Sequence, residues 1–178
     1  RILAKGLAGE IISTSQFGTS KLLINNGIID LATARNEKYE QPGALPTVCS
    51  GNIREDMARR DFTVNAIAVS LSVESWGNVF DPFKGIEDLR DKQIRTLHPK
   101  SFIDDPTRIF RAIRYAERLS FKVEDNTISE LNKNVSYIDL VKGDRIRHEM
   151  EKIFQEDRAN AMLAKAQKLR VLSTIHTS

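Results

Sequence analysis

Charged and amide side chains crowd into one short stretch of the chain, residues 59–68. Arg59, Arg60 and Asp61 open the stretch, and Asn65 follows within an apolar run. A guanidinium group offers a fork of donors that suits phosphate and ribose oxygens. Asp61 could hold that fork or accept a ribose hydroxyl. The stretch therefore predicts either a nucleotide-binding segment or a structural ion pair at the start of a helix or strand.

Asp105 and Arg108 form a second pair of side chains that could recognise a ligand. They lie three positions apart, so on a helix their side chains share a face. Adenine and cytosine both present an amino donor beside a ring-nitrogen acceptor, which a carboxylate and an arginine can match. Uracil and guanine present the reversed pattern. The pair could thus admit ATP and CTP and refuse UTP and GTP, unless Asp105 only caps a helix and Arg108 only pairs with Asp104.

A basic ridge follows on the same predicted helix, formed by Arg111, Arg114 and Arg118. Residues 90–122 carry nine basic side chains against four acidic ones, although the net charge of the whole chain is only +3. Such a local excess is compatible with binding to RNA or to nucleotide phosphates. A solvated helix face is the simpler alternative.

Asp30 is an acid in apolar surroundings. It follows an Asn26-Gly27 pair between two apolar runs, a strong signal for a β-hairpin because both turn positions need positive φ. On the second strand Asp30 shares a face with Ile28 and Ala32. A carboxylate among such neighbours is costly without a partner, so a ligand or an open sheet face is expected there.

The elements that must position these residues change in character along the chain. The pattern predicts a short helix over residues 2–12 and a long loop over residues 35–52. Residues 61–69 fit either a strand or a helix entered at Asp61 or Thr63, and the helix is favoured. Trp76 is expected to serve packing, and residues 86–89 and 94–97 predict a short helix and a short strand.

Helical patterns take over near residues 98–101. They predict a helix from the Asp105-Pro106 cap to about Leu119, a second over residues 124–134, a third from Gly143 and a fourth capped by Asp157. Phe154 is expected to face the core of the third helix. The fold class is therefore α+β followed by all-α, with domains over residues 1–98 and 99–178.

Composition excludes several classes of protein. The chain has 178 residues, 40% of them hydrophobic and 29% charged, which suits a soluble protein with a core. No apolar run approaches the ~20 residues of a membrane span. The single Cys49 rules out an internal disulfide and fits the cytoplasm, and the scattered histidines give no zinc spacing.

Five segments together resemble the tRNA nucleotidyltransferase and bacterial poly(A) polymerase family, class II. They are residues 59–68, 31–35, 42–46, 81–88 and 104–108. The resemblance runs from about Phe17 to about Phe154. It implies a partial polymerase-β-like head followed by a helical neck, and an enzyme that adds CMP or AMP from CTP and ATP to RNA 3′ ends. The sequence of residues 30–39 and 42–46 resembles the tRNA branch more than the poly(A) branch, so tRNA is the expected partner.

The resemblance also implies roles for individual residues. Asp30 corresponds to the third carboxylate of a catalytic Mg²⁺ site. Arg59, Arg60, Asp61 and Asn65 correspond to the ribose and phosphate readers, and Asp105 and Arg108 to the base-reading pair.

One feature of the family is missing before Asp30. The family carries an Asp-x-Asp pair there, but the only acid in that part of this chain is Glu10. We therefore expect an amino-terminally truncated sequence whose 178 residues alone do not transfer nucleotides. Two alternatives stay open: a poly(A) polymerase, and a non-catalytic RNA-binding remnant.

Overall fold

The computed structural model describes residues 9–15, 18–25 and 27–175. It divides into two compact units. The first comprises Arg1–Glu37 and Val48–Asp56, and the second comprises Lys38–Thr47 and Met57–Ser178.

The first unit is built on an antiparallel sheet of β1 (Glu10–Thr14), β2 (Thr19–Ile24) and β3 (Gly27–Ala32). The predicted hairpin forms, because β2 and β3 pair along their whole lengths. Its turn lies one residue earlier than predicted, since Gly27 is already paired with Ile24 in β3 and Asn25 has a positive φ of 52°. Asn26 lies outside the described residues. The predicted helix over residues 2–12 is wrong from Glu10 onward. The β-branched residues of β1 favour an extended backbone there, and residues 2–8 lie outside the described residues.

The predicted loop over residues 35–52 contains a two-stranded sheet. It is formed by β4 (Arg35–Lys38) and β5 (Thr47–Ser50), and α1 (Ile53–Ala58) follows. Only residues 39–46 between the strands remain a loop. The prolines and glycines of this segment favour a loop, but the Thr-Val-Cys run of β5 favours a strand.

The helix predicted from Asp61 or Thr63 is also wrong. The segment makes a single 3-10 turn, Thr63–Asn65, and then enters the strand β6 (Ala68–Val69), which pairs with β7 (Val79–Phe80). Phe62 is extended, with φ −133° and ψ 151°, and is completely buried. Its burial dictates the local backbone. Trp76, in the β6–β7 connection, is exposed rather than packed.

Two short helices and a strand lead into the helical part of the second unit. They are α2 (Gly85–Arg90), β8 (Gln93–Ile94) and α3 (Ser101–Asp104). Next comes α4 (Arg108–Leu119), and β9 (Lys122–Val123) then pairs in parallel with β8. The short helix predicted near residues 86–89 is confirmed. Helix α4 begins two residues later than predicted, because Pro106 and Thr107 form a turn.

The remaining helices agree with the sequence pattern in position. They are α5 (Asp125–Asn134), α6 (Gly143–Phe154) and α7 (Ala159–Lys168). Two details differ. Phe154 is exposed rather than buried, and Arg158 rather than Asp157 precedes α7.

A single apolar core joins these helices to the Arg59 segment. Its members all belong to the second unit, and they are Phe62, Ile94, Phe102, Ile109, Phe110, Ala112, Ile113, Ala116, Val123, Leu131, Ile138, Val141, Ile146, Ile153, Met162, Ala166 and Val171. Phe62 also meets Tyr115 of α4 edge to face, with ring centroids 5.9 Å apart. The core therefore fixes the backbone on which Arg59, Arg60 and Asp61 stand.

The division into domains at residue 98 stays a prediction, since the compact units follow a different partition. Within the described part of the chain, no helix has the length and apolar character needed to cross a membrane.

Helix α5 begins with a capping carboxylate whose contribution depends on pH. Glu124 accepts hydrogen bonds from the Thr127 backbone N–H at 2.8 Å and from its hydroxyl at 3.0 Å. Burial alone would raise the pKa of Glu124, but the hydrogen bonds from Thr127 and the charge of Arg95 lower it below its ordinary value.

We expect Glu124→Ala to reduce the free energy of unfolding by about 1 kcal/mol at pH 7. A lowered folded-state pKa stabilises the fold above the ordinary glutamate pKa, and this stabilisation is lost as the pH falls through the folded-state value. Urea unfolding at several pH values should therefore show the deficit shrinking in acid. Glu151→Ala, at an exposed position of α6, is the control; a Glu124 deficit that is independent of pH would contradict the capping argument.

Candidate functional site

A cavity of about 420 Å³ opens in the second unit between the start of α4 and the start of α6. It is lined by Asp105, Thr107, Arg111, Asp144, Arg145, His148 and Glu149. Two of these, Asp105 and Arg111, are residues that the sequence singled out. Because acids and arginines face each other across it, the cavity can present both hydrogen-bond acceptors and donors to a ligand.

Asp105 stands at the mouth of this cavity with one oxygen occupied. Its Oδ1 accepts hydrogen bonds from the Thr107 backbone N–H at 3.1 Å and the Thr107 hydroxyl at 2.6 Å. Arg145 Nη2 donates to the same oxygen at 2.7 Å. Among the described residues none donates to Oδ2. One oxygen thus orients the carboxylate, and the other is available to a ligand.

Arg145 was not predicted as a site residue. It lies in the first turn of α6, and besides Asp105 it donates through Nη1 to the Gly43 carbonyl at 2.8 Å. No local motif marks it, because its partner Asp105 is 40 positions away in the sequence. Only the tertiary structure brings the two together.

Arg108 does not line the cavity with Asp105. The residue is 4% exposed, and its guanidinium donates to the Ser101 hydroxyl at 2.7 Å and the Arg59 carbonyl at 2.6 Å. It therefore ties α4 to the backbone of the Arg59 segment. The expected shared face of Asp105 and Arg108 is not formed here, and their joint base-reading role stays a prediction.

Asp61 is buried and fully engaged. Its Oδ1 accepts hydrogen bonds from the Phe62 backbone N–H at 2.9 Å and from Asn65 Nδ2 at 3.0 Å, while Arg60 Nη1 donates to the Asn65 carbonyl at 3.0 Å. Its Oδ2 lies 2.5 Å from Arg111 Nη2. Arg60, Asp61 and Asn65 are thus brought together as one hydrogen-bonded turn.

Arg111 connects that turn to the cavity. Burial alone would lower the pKa of its guanidinium, but the charge of Asp61, with a smaller contribution from Tyr115, outweighs burial and raises the pKa above its ordinary value. Arg111 therefore stays charged, and as a partly exposed lining residue it can meet an anionic ligand.

The rest of the predicted basic ridge is paired with acids. Arg114 is buried, 3.7 Å from Glu149 and 3.5 Å from Glu156, and its guanidinium lies 4.9 Å from the Tyr115 ring centroid. Arg118 is exposed and 3.7 Å from Glu156. Arg111, Arg114 and Arg118 therefore occupy three different environments, and their phosphate or RNA contacts stay a prediction.

Asp30 belongs to the first unit, and its side chain is 59% exposed. Its neighbour across β2 and β3 is Lys21, whose Nζ lies 3.4 Å from Oδ1. Of the two expected environments, the structure shows the open sheet face, because the Asp30 side chain is exposed rather than buried among its apolar neighbours. No group of three or more potential metal-ligating side chains occurs among the described residues.

A buried network holds the Arg59 segment to α2. The Thr63 hydroxyl donates to Asp88 Oδ2 at 2.6 Å, and Arg95 Nε donates to the same carboxylate at 3.1 Å. Gly85, at the start of α2, lies directly against the Thr63 carbonyl. Residues 81–88 thus contact and hold the backbone turn that carries Asp61 and Asn65.

Two family models match this chain. The Poly A polymerase head domain matches residues 1–95, and a model described as the probable RNA and SrmB-binding site of polymerase A matches residues 120–176.

Curated relatives agree with those models. An A-adding tRNA nucleotidyltransferase of Aquifex aeolicus is 43% identical over 90% of this chain and 20% of its own length. One of Halalkalibacterium halodurans is 36% identical over 95% of this chain and 41% of its own length. The chain thus spans about a fifth to two fifths of the length of these relatives.

Solved structures show the same fold. A CCA-adding enzyme in an apo form superposes with a TM-score of 0.92 at 38% identity, over 97% of this chain and 41% of that one. A tRNA nucleotidyltransferase complexed with a primer tRNA and an incoming ATP analog gives a TM-score of 0.85 at 38% identity, over 99% and 49%. The predicted nucleotidyltransferase head fold is confirmed. The chain belongs to the poly(A) polymerase and tRNA nucleotidyltransferase family.

Proposed function

We propose that this chain is the head-and-neck part of an RNA 3′-end nucleotidyltransferase that adds CMP, AMP or both to tRNA from CTP and ATP. The observation that carries the proposal is the Asp105 carboxylate, a lining group of the cavity, with one oxygen fixed by three donors and no donor to the other oxygen among the described residues. Names of the relatives support tRNA as the acceptor. We propose a cytoplasmic location as well, because the single Cys49 leaves no internal disulfide that would call for an oxidising compartment.

The open oxygen of Asp105 suits the bases of ATP and CTP. It can accept a hydrogen bond from their exocyclic amino groups, whereas uracil and guanine would place a carbonyl oxygen there. The Asp105 oxygen and that carbonyl oxygen are both acceptors, so in a confined site neither would have a hydrogen-bond donor. Each unpaired group would weaken binding by about 1–3 kcal/mol. Arg111, which carries a permanent charge beside the same cavity, is the candidate to meet the phosphates.

A role for Arg108 in base reading requires a rearrangement. Its donors are directed to Ser101 and to the Arg59 carbonyl, so it must exchange those partners for the base. The link to Arg59 offers another role, because Arg108 then holds the Arg59 segment at a fixed distance from α4.

The Mg²⁺ that the resemblance implies does not fit the described residues alone. Nucleotidyl transfer uses metals on the attacking and leaving oxygens and so needs several carboxylates. Asp30 is exposed and paired with Lys21, and no group of three or more potential metal ligands occurs among the described side chains. Asp30 remains our candidate metal ligand.

Substitution of Asp105 tests the proposal. In the full-length gene product, Asp105→Ala should lower the preference for ATP and CTP over UTP and GTP by roughly tenfold or more, because the acceptor that we assign to the amino group is lost. The measurement is single-turnover incorporation of each nucleotide onto tRNA lacking its terminal residues.

Asp157→Ala, an exposed acid before α7, is the matched control. Unchanged selectivity in Asp105→Ala would refute the base-reading role, and a wild-type protein that binds tRNA without extending it would favour the non-catalytic RNA-binding alternative. A second catalytic candidate is poly(A) polymerase, which the head-domain match keeps open. Long A tails in place of one to three added residues would identify it.

A further inference from the structure

We propose that Arg145 is a positioning residue for base selection, which holds the Asp105 carboxylate so that a single oxygen faces the nucleotide. The inference rests on the proposed function and adds to it a residue from a different helix. Arg145 lies in the first turn of α6, on the far side of the cavity from the start of α4.

The first step is the asymmetry of the carboxylate. Both hydrogen bonds from Thr107 come from within the same turn as Asp105, so they orient the carboxylate only relative to that turn. The Arg145 contact, at 2.7 Å, is the one that ties Oδ1 to another element. Without it, the turn and its carboxylate can shift together relative to the cavity.

The second step is the geometry of the guanidinium. Arg145 donates through Nη2 to Asp105 and through Nη1 to the Gly43 carbonyl at 2.8 Å. A planar fork held at two points has little rotational freedom, whereas a lysine ammonium on a flexible stem cannot span both acceptors in the same way. The Arg145 guanidinium is therefore itself fixed and can limit the movement of the Asp105 carboxylate.

Release of the carboxylate affects the hydrogen bonding of the four bases differently. A carboxylate offers only acceptors in every orientation, so it never complements the carbonyl of uracil or guanine. Movement of Asp105 weakens the hydrogen bond from the amino groups of adenine and cytosine and creates no hydrogen bond to uracil or guanine. Removal of Arg145 should therefore reduce the use of ATP and CTP selectively.

The test compares Arg145→Ala and Arg145→Lys with Arg147→Ala in the full-length gene product. Arg147 lies two residues further along α6, is exposed, and pairs with Asp144 and Glu151. For each protein, kcat and KM are measured for the four nucleotides on tRNA lacking its terminal residues, together with the melting temperature.

We expect Arg145→Ala to lower the selectivity ratio, ATP and CTP over UTP and GTP, by roughly tenfold. Arg145→Lys should restore part of the ratio, and Arg147→Ala should leave it at the wild-type value. An equal loss for all four nucleotides would mean a purely structural role and overturn the inference. If Arg145→Ala does not fold, an unchanged ratio in folded Arg145→Lys overturns it.

Different results would refute the proposed nucleotidyltransferase function and the proposed role of Arg145. A wild-type protein that transfers no nucleotide refutes the proposed function, and the inference falls with it. A wild-type protein that selects ATP and CTP, beside an Arg145→Ala variant that selects equally well, refutes the inference alone.

Discussion

Gly85→Ala should lower the free energy of unfolding by about 3 kcal/mol, the upper end of the usual cost of overpacking. A Cβ at this position would lie 2.2 Å from the Thr63 carbonyl oxygen and 2.8 Å from Ile67 Cγ1. The oxygen belongs to the backbone of the 3-10 turn and cannot rotate away. Either α2 or the turn that carries Asn65 must move.

Gly143→Ala is the matched control, because Gly143 also opens a helix but a Cβ there meets nothing within 4 Å. We expect Gly143→Ala to be neutral or slightly stabilising, since it only reduces the freedom of the unfolded chain. Thermal unfolding should show a melting temperature roughly 6–12 °C lower for Gly85→Ala. Equal melting temperatures for the two variants would contradict the close approach at Gly85.

Arg114→Ala should also cost about 3 kcal/mol, because it leaves the buried Glu149 carboxylate without its arginine partner. Glu149 keeps Lys152 at 2.9 Å, which limits the loss. Arg118→Ala, one turn along α4, should cost less than about 0.5 kcal/mol, since its side chain is exposed. Urea unfolding of both variants gives these differences directly.

The same two variants decide what the basic ridge does. If Arg114 is structural, its removal lowers stability, and tRNA binding by the folded fraction is unchanged. If Arg114 contacts RNA, as the sequence predicted, the affinity for tRNA falls at unchanged stability. Because counterion release accompanies each phosphate contact, the salt dependence of binding should flatten only for a residue that contacts RNA.

Helices were easier to predict than the site. The apolar periodicity of α4, α5 and α6 and the turn residues before them marked these helices to within about three residues. The Arg59 segment was predicted to be a helix because its apolar pattern and its length fit both the two-residue period of a strand and the 3.6-residue period of a helix. Tertiary burial of Phe62 decided between them, and no local signal shows which residue the core will take.

Roles of individual site residues depended even more on tertiary contacts. Asp105 was found because its residue type and its position before a helix are visible locally. Arg145 was missed, since its partners Gly43 and Asp105 are distant in sequence. Arg108 and Arg114 were expected to face ligands but are buried, because the spacing of arginines along a helix does not show where their tertiary partners lie. Arg108 meets the Ser101 hydroxyl and the Arg59 carbonyl, whereas Arg114 meets two glutamates.

The burial of Phe62 links ligand affinity to folding cooperativity. Phe62 directly follows Asp61, whose carboxylate pairs with the cavity residue Arg111, and it belongs to the same core as α4, α6 and α7. Opening of that core removes the anchor of the site, so the site cannot stay formed when the helical core unfolds. A nucleotide bound in the cavity must then add its binding free energy to the stability of the helical core.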